Sequence, residues 1–182
     1  MASAHLVSTG LGPVYDSVSH FLLSPEYLAP VIGLALFAGL RGAQHARWAL
    51  FAVSGAWLAG GFGEYAPPAG VLASLWTAGV CLTLGGLVAA DMKIPLGLTT
   101  ALALLVGFLD GAMNRAAAGG MSNGLGWLGV GSAVFVLMAL TASLIVPVRI
   151  PWLRIAVRVA GSWLAALGLL LAGWAMHGRL NT

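Results

Sequence analysis

Six apolar runs, each close to the length of a membrane crossing, take up most of this 182-residue chain. They cover residues 25–40, 46–62, 69–90, 95–113, 125–146 and 153–176. A spanning helix needs about 20 mostly apolar residues, so the first two are short for a full crossing. Between the runs lie helix breakers and polar groups, at 41–45, 64–68, 91–93, 119–124 and 147–151. Composition agrees: only 7% of residues are charged, where a soluble domain carries about a quarter. With 60% hydrophobic residues and a mean hydropathy of +0.97, such a chain could not cover its surface with polar groups. Lipid makes that surface acceptable. The expected fold is an all-α polytopic membrane protein. A six-helix transmembrane bundle spans 25–182, and an outward-facing N-terminal segment, 1–24, precedes it.

The remaining composition narrows the function classes. A single cysteine, Cys81, rules out a disulfide framework and a paired-cysteine metal site. The sequence pI of about 9.6 is not a nucleic-acid signal, because most basic residues cap apolar runs rather than share one surface. Their distribution sets orientation instead. Arg41, Arg47, Lys93, Arg149 and Arg154 fall at the first, third and fifth turns, with Arg158 just inside the last run. Only Arg115 and Arg179 fall on the other side. The odd turns are therefore cytoplasmic, and both termini lie on the periplasmic or outer side of a bacterial inner membrane. Trp48, Trp127, Trp152 and Trp174 are near run ends, where an aromatic belt would sit; Trp57, Trp76 and Trp163 are deeper and expected between helices. Gly33, Gly39, Gly55, Gly60, Gly61, Gly85 and Gly86 read as positions of close helix packing.

The segment before the first run is the most informative. Gly12-Pro13 marks a helix start, and Ser24-Pro25-Glu26 marks a stronger one, with Ser24 as N-cap and Pro25 at the first helical position. A short helix over about 13–23, too short to cross, is interfacial or re-entrant. Asp16 and His20 share one face of it at i,i+4 spacing. A carboxylate and an imidazole so placed can reach one divalent cation; the plain alternative is a polar face meeting water. Ala2-Ser3-Ala4 before His5 resembles the end of a cleaved leader, in which case the His5 amine and imidazole could also bind metal.

A second polar island, Asp110-Gly111-Ala112-Met113-Asn114-Arg115, ends the fourth run. Asp110 lies about one turn inside, where a charge is costly and needs a partner. Asp110 and Asn114 again have i,i+4 spacing. The structural alternative is a bond from Asp110 to Arg115 or to another helix. The topology puts this island on the same membrane side as Asp16 and His20, so four oxygen or nitrogen ligands could converge. Such a set suits nickel, cobalt or zinc better than copper(I).

The runs His5-Leu-Val-Ser-Thr-Gly-Leu-Gly-Pro-Val-Tyr-Asp16-Ser-Val-Ser-His20-Phe, Leu23-Ser-Pro-Glu26 and Ala38-Gly-Leu-Arg-Gly42 resemble the HupE/UreJ family of membrane proteins, in its divergent second branch. The likeness extends over nearly the whole chain and is most specific over residues 5–42. It implies six spans and a role in nickel or cobalt uptake. The better-known branch carries His-Pro-x-x-Gly-x-Asp-His near its start and His-Gly-x-x-His-Gly in a later span. Here His20 follows Asp16 by four residues, and Asp110-Gly111-x-x-Asn114 resembles the second pattern with both histidines replaced.

Two functions follow. One is a divalent metal permease or binding protein using Asp16, His20, Asp110, Asn114 and His5, with His45 and Asp91 marking an exit or simply a solvated turn. The other is a small non-transport subunit of a metalloenzyme or larger membrane complex. Partners are the bilayer, the metal ion and a homo-oligomer or larger complex, without nucleic acid. No enzymatic role and no organic cofactor is expected: the chain has no His-Glu-x-x-His motif, and for haem ligation His177 has no evident axial partner beyond His20 or His5.

Overall fold

A computed structural model describes residues 12–63, 67–117, 124–148 and 150–180. It is all helical there: α1 (Pro13–Leu23), α2 (Pro25–Arg41), α3 (Ala43–Phe62), α4 (Val71–Ala89), α5 (Leu96–Ala117), α6 (Gly124–Ile145) and α7 (Pro151–Leu180). His5, the leader-like Ala2-Ser3-Ala4, Glu64 and Arg149 lie outside the described residues.

Prolines set the first boundaries. Pro13 and Pro25 each occupy the first turn of their helix, where a missing N–H costs nothing. Gly12, at φ 107°, supplies backbone geometry that an L side chain resists. Ser24 does sit at the N-cap of α2, but contrary to expectation its side chain makes no capping bond. The chain bends by 75° between α1 and α2.

Four helices, α4 to α7, are long and apolar enough to cross a membrane, and counting the bent α1–α2 pair as one span makes five. The expected sixth does not meet the same standard: α3 has 20 residues, but Gln44, His45 and Arg47 dilute its start. These helices fit a membrane-embedded protein.

Two glycine-mediated pairs organise the bundle. In α3 and α5, a Cβ on Gly60 would strike the Phe108 carbonyl, one on Gly107 the Val53 carbonyl, and one on Gly111 the Trp57 carbonyl. In α4 and α7, Gly85 faces the backbone of Gly161 and Ala165, and Gly168 faces Ala78 and Leu82. With backbones this close, van der Waals contact replaces the hydrophobic drive that lipid cannot give. Helices α2 and α6 pack against this framework. Gly33, Gly39 and Gly61 also meet neighbouring helices as expected, whereas Gly55 and Gly86 meet nothing within 4 Å among the described residues. The core centres on Trp57, Phe21, Leu34, Leu84 and Met138, all fully buried.

Among the tryptophans, Trp48, Trp152 and Trp174 are exposed, as a belt would be. Trp127 is buried beside Gly61 instead, and Trp163 is 76% exposed rather than packed between helices. Helix α7 shows why: Gly161, Ala165 and Gly168 turn its small residues inward and leave its large ones outward.

Candidate functional site

The sequence brings its polar groups to two ends of the bundle. At one end, where α1 sits, α5 carries Asp110 between Gly107 and Gly111. That Gly-x-x-x-Gly spacing draws α5 onto α3 and takes the aspartate inside with it. Asp110 is 0% exposed and Asn114 is 3% exposed. The indole Nε1 of Trp76 on α4 donates to Asp110 Oδ1 at 2.9 Å. Asp110 Oδ2 and Asn114 Nδ2 are buried with no hydrogen-bond partner among the described residues, as are Ser54 Oγ and Trp57 Nε1 on facing α3. Buried polar atoms are nearly always paired, so several orphans on one crossing pair of helices call for an explanation.

Asp110 thus takes the inter-helix bond of the structural alternative, and it comes from Trp76. Arg115 turns away and donates to the Gly63 carbonyl at the end of α3. Tyr27 of α2 and Cys81 of α4 both lie within electrostatic reach of Asp110.

Asp16 and His20 lie half-buried on α1, and Asp16 makes an interaction of its own. Helix α1 rests on α6, with Val14 and Val18 over Gly129. It is tied to the Asp110 region by Phe21, whose ring meets Trp57 edge-on at 5.4 Å; Tyr27 also meets Trp57 edge-on, at 6.4 Å. The two sequence-predicted pairs therefore occupy the same end of the bundle. The described residues hold no group of three or more His, Cys, Asp or Glu side chains suited to a metal ion, so Asp16, His20 and Asp110 do not gather into one shell here.

A cavity of about 440 Å³ opens at this end between α2, α4, α5 and α7. Glu26, Tyr27, Ser74, Thr77 and Met113 line it. In the sequence Glu26 reads only as a helix-start residue, and Tyr27 does not stand out. The signal that could have found them was their register: both open α2 on the side where Asp110 closes α5.

The opposite end is built differently. Asp91, in the turn after α4, accepts from Arg41 of α2 and, at 2.8 Å, from Arg154 of α7. Arg158 donates to the Ala89 carbonyl at 2.7 Å, and His45 Nδ1 lies 2.9 Å from Thr99 Oγ1. Asp91 and His45 are thus engaged in tertiary bonds, not a freely solvated turn. No family model, curated protein or solved structure matches the chain.

Proposed function

We propose that this chain is a membrane permease or binding protein for a divalent transition metal, nickel, cobalt or zinc, which it meets at its α1 end. One observation carries the reading: the Asp110 carboxylate is fully buried in an apolar bundle, with one neutral donor and a second oxygen that has no partner among the described residues. Ionisable groups inside spans are expensive and mark ion pathways. A divalent cation supplies the missing compensation, and the Asn114 amide adds a neutral oxygen one turn away. Asp16 and His20 offer a carboxylate and an imidazole at the same end, and His5 a further imidazole. Oxygen and nitrogen ligands together suit a borderline ion.

The metal here is cargo, not a resident cofactor. The reading includes six crossings of a bacterial inner membrane, both termini outside, and the basic turns in the cytoplasm. Resemblance to the HupE/UreJ family, most specific over residues 5–42, points the same way and rests on the sequence alone.

Purified protein in liposomes should take up nickel, cobalt or zinc saturably. Asp110→Asn should abolish uptake, and His20→Ala should lower it. Failure of a monodisperse preparation either to move or to bind any of the three metals would overturn the reading. A second reading, a non-transport membrane subunit, is favoured by Gly55, Gly79 and Gly86, which meet nothing within 4 Å among the described residues. Small residues on an open helix face suit a partner helix. That reading expects stable co-purification with a membrane partner and no uptake.

A further inference from the structure

Glu26 stands at the mouth of the 440 Å³ cavity, exposed, at the first turn of α2. Behind it Tyr27 is 7% exposed and lies within electrostatic reach of both Glu26 and Asp110. Thr77 and Met113 continue the wall inward: Thr77 neighbours Trp76, the donor to Asp110, and Met113 lies one turn beyond Asp110 on α5. The cavity wall therefore reaches residues that adjoin Asp110 and its donor, while Asp110 itself is sealed from solvent.

Two features give the mouth its sign. Pro30 has no N–H to offer the Glu26 carbonyl, so that oxygen loses its i+4 helical partner. Glu26 thus brings a carboxylate and a backbone acceptor to one place. The cavity also meets the positive start of α4, at Gly70, and the negative end of α5, at Ala116. Those helix-end fields oppose each other. Among the described residues that line the cavity, Glu26 is the one charged side chain, and it is acidic. Six waters occupy about 180 Å³ at liquid density, so the volume admits a cation that still carries its first hydration shell.

We propose that Glu26 is the capture residue of an outer vestibule site, which holds a hydrated divalent cation through its water shell before the ion reaches Asp110. The inference deepens the permease reading and names a step ahead of the buried site. An exposed carboxylate gives weak, fast-exchanging capture, which suits an access site rather than a store.

Hexaamminecobalt(III) tests it, because its ammine shell mimics hydrated ions and does not exchange. A reactive thiol is introduced by Ser74→Cys in a Cys81→Ala background, and its labelling by a hydrophilic maleimide is timed. The probe should slow labelling saturably, by about fivefold or more. Glu26→Gln should remove the protection, Glu26→Asp should restore it, and Asp110→Asn should leave it in place. No protection, protection that survives Glu26→Gln, or protection by inorganic phosphate instead would overturn the proposal. Protection without metal uptake by the parent protein would sink the permease reading and keep the vestibule site. Uptake without protection would do the reverse.

Discussion

Asp91 and Asp110 are the two aspartates of the bundle proper, and they are treated in opposite ways. Asp91 keeps 26% of its side chain exposed and accepts from two arginines, one from α2 and one from α7. Asp110 is sealed from solvent and has, among the described residues, one indole N–H for company. The better-solvated acid has the stronger compensation. Stability alone would have arranged this the other way, since a charge without a partner costs most where solvent is absent. Asp91 reads as a clasp: it joins the end of α2, the α4–α5 turn and the start of α7. Asp110 reads as a group held ready for something the helices do not supply.

The sharpest way to break this contrast is to neutralise each acid in turn and follow unfolding in detergent. Asp91→Asn leaves Arg41, whose side chain is 6% exposed, without its anion. It should cost about 3 kcal/mol, the lower end for a broken buried pair because Asp91 is partly wet. Asp110→Asn should cost less than about 1 kcal/mol, or stabilise, since it removes an uncompensated acid. A large loss at Asp110 with none at Asp91 would reverse the assignment of roles.

Trp76→Phe comes next. It keeps an aromatic ring against the core but strips Asp110 of its donor, for an expected cost of about 2 kcal/mol. Added divalent metal should recover part of that cost in a thermal-shift assay; equal shifts in variant and parent would detach Trp76 from the site. The smallest effect belongs to Arg154→Gln. With 40% of its side chain exposed, this arginine should be worth below about 1 kcal/mol. A loss as large as that of Asp91→Asn would make Arg154 rather than Arg41 the main anchor of the clasp.

Local signals wrote themselves plainly into the chain. The limits of α1 followed from Gly12-Pro13 and Ser24-Pro25, because proline and glycine act on their own backbone. The apolar runs located α2 to α7 within a few residues. Asp110 announced its need for a partner, because burial of an acid in an apolar run is visible without coordinates. The identity of that partner was not: Trp76 is one more apolar-looking residue until its N–H is aimed. Asp91 was equally opaque, since its arginines lie 50 and 63 residues away. The orientation of Trp163 depends on which face of α7 meets α4, and that is settled by Gly161 and Gly168 meeting another helix. Gly107-x-x-x-Gly111 was legible but passed over, and it is the device that takes Asp110 inside.

The seat of α1 has a consequence for how the chain is made. Residues 13–23 leave the ribosome long before residue 124, yet α1 lies against α6, with Val14 and Val18 on Gly129 and Phe21 on Trp57. The first of the seven helices among the described residues therefore completes its docking late. Until α6 arrives, Val14 and Val18 wait uncovered beside the growing bundle, and synthesis halted after α5 would leave α1 held by the contact of Phe21 with Trp57 of α3 but without its seat on Gly129.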